Sequence, residues 1–217
     1  MLIYSLFYDI ISNVTKNSFY LSRRALHMKS ALRNRPLDSS LILVNQEDYK
    51  IYGDVVITGQ LIVINSKVTI TGNLKIVKNE NLNNQVFILR SEVSASLINS
   101  EADVIAQHST IRAYLDFYCR SISGDAQLSS DGDVTIYHDS CINGIVSRGY
   151  YVGGNNHSKE IICSNSVCIW GDSISTAVHA LKLHIEGDAD FSNANISVGC
   201  FTSKGHVKNC YGNLGYN

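Results

Sequence analysis

Two acidic pairs, Asp131 with Asp133 and Asp188 with Asp190, are spaced so that both carboxylates of a pair fall on one face of an extended strand. Two facing carboxylates about 5–9.5 Å apart are what glycoside cleavage requires. Each pair also adjoins a Gly-Asp dipeptide, where aspartate is expected for turn formation alone. Arg112, Arg120 and Arg148 stand apart from dense acids, so the arginine-plus-acid-cluster arrangement of a polysaccharide lyase is not legible. Tyr150, Tyr151 and Trp170 are candidates for a sugar-stacking platform. Tyr150, Tyr151, Asn155 and His157 fall in the longest irregular stretch, SRGYYVGGNNHSKE (147–160), which reads as a loop leaving the regular body and is the first place to seek a ligand. Cys163, Cys168, His157 and His179 form the one neighbourhood that could supply four zinc ligands, but no C-x-x-C pair is present and buried free thiols explain the cysteines more simply. There is no nucleophile elbow, P-loop, dinucleotide fingerprint or paired-histidine motif. The sequence therefore assigns no catalytic residue, no cofactor and no metal.

The elements that would position these residues are short and repeated. YGDVVITGQLIVINSKVTITGNLKIVKN, residues 52–79, uses Ile57-Thr58-Gly59 and again Ile70-Thr71-Gly72, followed by Gln60-Leu61 and Asn73-Leu74. Gly-Asp recurs at 53–54, 124–125, 132–133, 171–172 and 187–188, each time before a short β-branched or apolar run. Glycine tolerates positive φ and aspartate bonds its own backbone, so these pairs suit tight corners. Val and Ile between corners suit strands. Such repetition predicts a right-handed parallel β-helix over residues 41–217, an all-β solenoid in which each coil buries its apolar side on its neighbours. Cys119, Cys141 and Cys163 recur at a step of 22 residues, as do His157 with His179 and His184 with His206. Read as a coil length, that step stacks the three cysteines as an inward ladder of free thiols, whereas the ITG repeat steps by 13.

Residues 1–40 read differently, as a helical leader. Leu2, Ile3, Leu6, Phe7, Ile10 and Ile11 are helically spaced, and a second helical stretch is expected from Phe19 to Arg33, ended by Pro36. The first segment lacks the basic start and cleavage site of a secretory signal, and it is too short to span a bilayer. Residues 1–35 carry six basic side chains against Asp9 alone, which leaves the remainder with 12 basic and 18 acidic residues out of totals of 18 and 19. An apolar stripe beside cations fits either a cap over the open end of the solenoid or an interfacial membrane anchor. The acidic body opposes nucleic-acid binding by the basic stretch.

GDVVITGQLIVINSKVTITGNLKIV resembles the repeat of the bactofilins, with Gly-Asp before a β-branched pair, Gly59 and Gly72 at corners, and alternating Val55, Ile57, Leu61, Val63, Val68, Ile70, Leu74 and Ile76. The resemblance is fullest over residues 51–79 and looser over 120–136 and 183–198. It implies a non-enzymatic cytoplasmic scaffold that self-associates or organises partners, some relatives attaching peripherally to the inner membrane through a short apolar N-terminal segment. MLIYSLFYDII would fill that role here. Abundant cysteine and aromatic residues, and the 147–160 stretch, depart from the family's uniform coils. The competing expectation is a carbohydrate-binding or carbohydrate-cleaving β-helix.

Overall fold

Runs such as Val55–Ile57 and Val134–Ile136 alternate a buried, a half-buried and a buried residue, as a pleated strand with one face on a core demands. A computed structural model describes residues 19–21, 36–37, 40–78, 85–191, 195–208 and 213–216. Within it every strand pairs in parallel with a strand of a neighbouring coil, and most with one on each side. The result is an all-β solenoid of about nine turns, and no helix occurs among the described residues.

The coil has three flat faces. The first contains Leu41–Val44, Leu61–Ile64, Gln85–Leu89, Asp103–Gln107, Ile122–Gly124 and Ser140–Cys141. Isolated bridges from Ser140 to Asn156 and from Asn156 to Ser173 carry it on to Ser173–Ile174, Ala189–Asp190 and Val207–Lys208. The second face stacks Val68, Val93, Ile111, Leu128, Ile145, Ile161, Val178 and Ile196. The third stacks Leu74, Ile98, Phe117, Val134, Tyr150, Val167, Leu183 and Phe201. These columns point inward and form one continuous core. Burial of such side chains stabilises a fold by about 1.5–3 kcal/mol each, and here it is available only through stacking.

Each corner has its own device. Between the first and second faces Asn45, Asn65, Arg90 and His108 take left-handed φ values of 53°, 46°, 47° and 49°. In the next coil the residue with positive φ is Gly124, which pairs with Ala106 two residues before His108; its φ is 125°, and a Cβ there would collide with the carbonyl of Ala106. Beside this column Ser66, Ser91 and Ser109 accept the N–H of the coil below, from Gln46, Ser66 and Ser91 respectively, at 2.9, 3.0 and 3.2 Å. Each serine donates its hydroxyl to the carbonyl two residues back, so a buried corner keeps its polar atoms paired. Between the third and first faces Asp139, Asn155, Asp172 and Asp188 use Oδ1 to accept the N–H of Asn155, Asp172, Asp188 and His206 at 2.8–2.9 Å. Gly171 follows the same logic: a Cβ there would meet the backbone of Gly154, 2.7 Å away. The Gly-Asp punctuation is thus a packing requirement beside a hydrogen-bonding one.

The coil length differs from both periods read in the sequence. Successive partners are mostly 16 to 20 residues apart, as from Ile145 to Ile161, Ile111 to Leu128, Val93 to Ile111, Tyr49 to Val68 and Leu41 to Leu61, with longer steps of 22 from Phe19 to Leu41, 24 from Leu74 to Ile98 and 25 from Val68 to Val93 and from Leu61 to Val86. A step of 22 overshoots the coil by about a strand and therefore walks round the prism. Cys119 lies on the third face between Ser100 and Ile136, Cys141 on the first beside Ser123, and Cys163 on the second beside Ser147. The cysteine ladder does not exist, and Cys141 is exposed. His179 stacks on Ile162 and His184 on Cys168, so neither histidine pair is a ladder. The ITG copies also sit on different faces, Ile57 on the third and Ile70 on the second.

Two further expectations are corrected. Phe19–Leu21, expected to begin a helix, is a strand paired with Leu41–Leu43, and Pro36–Leu37 pairs with Val56–Ile57. The 147–160 stretch is no loop: Gly149–Val152 is a third-face strand, Asn156 bridges on the first face, and Glu160–Cys163 is a second-face strand. Its diglycine and asparagines serve the corner, which in sequence looks the same as irregularity.

Candidate functional site

Leu2, Ile3, Leu6, Phe7, Ile10 and Ile11 lie outside the described residues. Of the four proposed ligand-segment residues, Tyr150 points into the core with no exposure. Its neighbour Tyr151 alternates to the outside, half-buried between Thr135 and Cys168. Asn155 is exposed at the third corner, and His157 is exposed and donates its N–H to the Ser140 carbonyl. The four do not converge.

Tyr150 belongs instead to an interior polar cluster. The inward column of the first face is aliphatic through Leu61, Val86, Val104 and Ile122, then changes to Ser140, Asn156 and Ser173 before Ala189. The smaller side chains make room for the phenol from the third face. Its hydroxyl donates to Asn156 Oδ1 at 2.8 Å, and Ser158 donates to the same oxygen at 2.8 Å. Asn156 Nδ2 donates to Ser173 and Ser175 Oγ at 3.2 and 3.1 Å. All these residues are at most 2% exposed. Burial raises the Tyr150 hydroxyl pKa well above the ordinary tyrosine range, with Ser140 and Ser158 opposing the shift, so the group stays a neutral donor. A satisfied, sealed network of this kind specifies packing and has no path to substrate.

The acidic pairs resolve into separate roles. Asp131 meets Arg112 at 3.5 Å, Asp133 meets Arg148 at 2.9 Å, and Arg120 meets Asp103 at 3.4 Å, so each arginine serves one acid on a neighbouring coil. Asp188 caps His206, and its carboxyl is held below the ordinary range chiefly by that N–H. Neither pair presents two free carboxylates across a groove. On the second face Cys163 points inward and His179 outward, Cys168 points outward on the third face, and His157 adjoins Asn156 on the first, so these four cannot share an ion. Among the described residues no group of three His, Cys, Asp or Glu is placed to hold a metal.

Two surface features were not legible beforehand. His184 bonds Thr202 through Nδ1 and Glu186 through Nε2, both at 2.7 Å, and Glu186 reaches Lys204 at 2.8 Å. The order hydroxyl, imidazole, carboxylate imitates a catalytic relay. It is a cross-strand ladder on an open sheet, and the neighbouring Cys168 thiol is pushed up by burial, the opposite of an activated nucleophile. The second feature is aromatic. Tyr137, Gly153 and Trp170 stack on successive coils, Gly153 N–H donating to the Ile136 carbonyl and Trp170 N–H to Val152. Tyr137 is 60% exposed and Trp170 56%. Their steps of 16 and 17 residues are the true coil length, which neither the 22-residue nor the 13-residue period could align.

No protein-family model, curated protein or solved structure matches this chain. No helix among the described residues is long and apolar enough to cross a membrane.

Proposed function

We propose that this chain is a non-enzymatic, bactofilin-like scaffold that self-associates in the cytoplasm, at the inner face of a membrane. The supporting observation lies on the second face. Val146 and Ile162 are directly in register, both point outward, and they are 48% and 38% exposed. Leu181, 61% exposed, stands at the adjoining corner. Adjacent aliphatic side chains on a flat sheet make a surface that another such face can cover, since sheets pack face to face at about 10 Å with interdigitating side chains. The partner that suits it is a second copy, which brings the same aliphatic pair by symmetry. The apolar stripe and six cations of residues 1–35 support attachment to anionic lipid.

Negative-stain electron microscopy of the full chain over a range of concentrations tests the reading. Paired or longer assemblies of rods should become more frequent as concentration rises. Single rods at every concentration would overturn it.

A further inference from the structure

We propose that the corner between the third and first faces binds an uncharged pyranose sugar in a slot one strand wide, between Tyr137 and Trp170. Between the two aromatics one coil contributes no side chains. Tyr137-His138 and Trp170-Gly171 lie on the coils either side of Gly153-Gly154, whose N–H groups bond back to Ile136 and His138. Packing dictates the glycines, since a Cβ on Gly153 would collide with the Tyr137 carbonyl and one on Gly154 with Asp139 Oδ1. Packing does not dictate the two aromatics, which are more than half exposed. Nor is the gap filled from its own strand: the ring of Tyr151 lies over Gly149, its Cε2 and hydroxyl 2.9 and 3.0 Å from the Cβ position there. Strands are about 4.8 Å apart, so a missing side-chain layer leaves a gap near the thickness of a sugar ring. Aromatic rings present apolar faces to such a ring's C–H groups.

The polar half of the site adjoins it. Asp139, Asn155 and Asp172 follow two residues after Tyr137, Gly153 and Trp170 on the same three coils, and all three are exposed. Each spends Oδ1 on the next coil's N–H. Oδ2 of Asp139, Nδ2 of Asn155 and Oδ2 of Asp172 make no hydrogen bond within the described chain, leaving acceptor, donor and acceptor in a row at strand spacing. Sugar hydroxyls need that mixture. Two carboxylates beside the slot select against uronic acids and sulfated sugars, so the ligand class is neutral. The site is independent of the second face and of any assembly through it.

Trp170 is the chain's single tryptophan, so its fluorescence reports on the slot alone. The full chain is titrated with cello-, xylo-, manno- and chito-hexaose, and with hexagalacturonate as the anionic counterpart. At least one neutral hexasaccharide should give a saturable change, and hexagalacturonate should bind at least tenfold more weakly. Tyr137→Ala should weaken the neutral sugar at least tenfold with unchanged circular dichroism, and Trp170→Ala, followed by calorimetry, should do the same. The proposal is overturned if no neutral hexasaccharide gives a saturable change, if hexagalacturonate binds as well, or if either folded variant keeps the parent affinity.

Discussion

Replacing Asn156 with leucine should destabilise the solenoid through the groups it leaves behind, and a second substitution can prove it. Asn156 accepts from Tyr150 and Ser158 and donates to Ser173 and Ser175, all buried. A net hydrogen bond contributes about 0.5–1.5 kcal/mol, and an orphaned buried donor costs about 1–3 kcal/mol. Ser140 and Ser158 lie against the Tyr150 hydroxyl and recover part of the loss. The balance is a cost of about 2–4 kcal/mol. In a chain of this size about 3 kcal/mol lowers the midpoint by roughly 6–12 °C. Tyr150→Phe alone removes one donor and leaves Asn156 Oδ1 still bonded to Ser158, a cost of about 1 kcal/mol. In the Asn156→Leu background the same change deletes a hydroxyl that has lost Asn156 and keeps only the neighbouring serines, and should be close to neutral. Urea unfolding followed by far-UV circular dichroism gives the four stabilities of the cycle. Additive costs, within about 0.5 kcal/mol, would refute the network account.

Three further outcomes follow from the packing. Cys141 should react with a thiol reagent in the native protein while Cys119 and Cys163 stay protected, because Cys141 is exposed and burial drives the Cys119 thiol far up and the Cys163 thiol up to about 11. Gly171→Ala should cost about 1–3 kcal/mol in thermal or urea unfolding, since its Cβ would press on the Gly154 backbone, which cannot swing aside. Acid should loosen the last coils first: Asp188 is lowered by the His206 N–H, and Glu186 by Lys204 and His184. Carboxyls with depressed folded-state values stabilise fully above about pH 4.5 and lose that contribution as pH falls through the lowered values. Asp188→Asn, which keeps the cap as Asn155 does two coils earlier in the same column, should blunt the acid loss measured by hydrogen exchange at His206.

The alternation of Val55, Ile57, Val68 and Ile70 and the Gly-Asp corners announced parallel stacking, because burial and corner geometry act through the residues that carry them. The coil length was hidden. Corners of unequal length move the step mostly between 16 and 20, and to as much as 25 between Val68 and Val93, so a fixed period drifts off the columns, and the cysteines at 22 traced three faces rather than one. Tyr150 and Tyr151 are neighbours of like chemistry sent to opposite sides of the sheet, which only the register decides. The same ignorance hid the pairing of Val146 with Ile162 and of Tyr137 with Trp170 across Gly153. Asn155 could be singled out as polar and near a turn, yet its role as an amide within a column of carboxylates needed the neighbouring coils.

The most direct test of the scaffold reading is sedimentation velocity of the parent protein beside Val146→Lys/Ile162→Lys. Both side chains point outward, so the variant should keep the parent's circular dichroism. The parent should sediment faster as concentration rises, and the variant should remain a single slow species, because paired faces would then bring lysines together. A parent that stays a monomer throughout, or a variant that associates equally well, would contradict it.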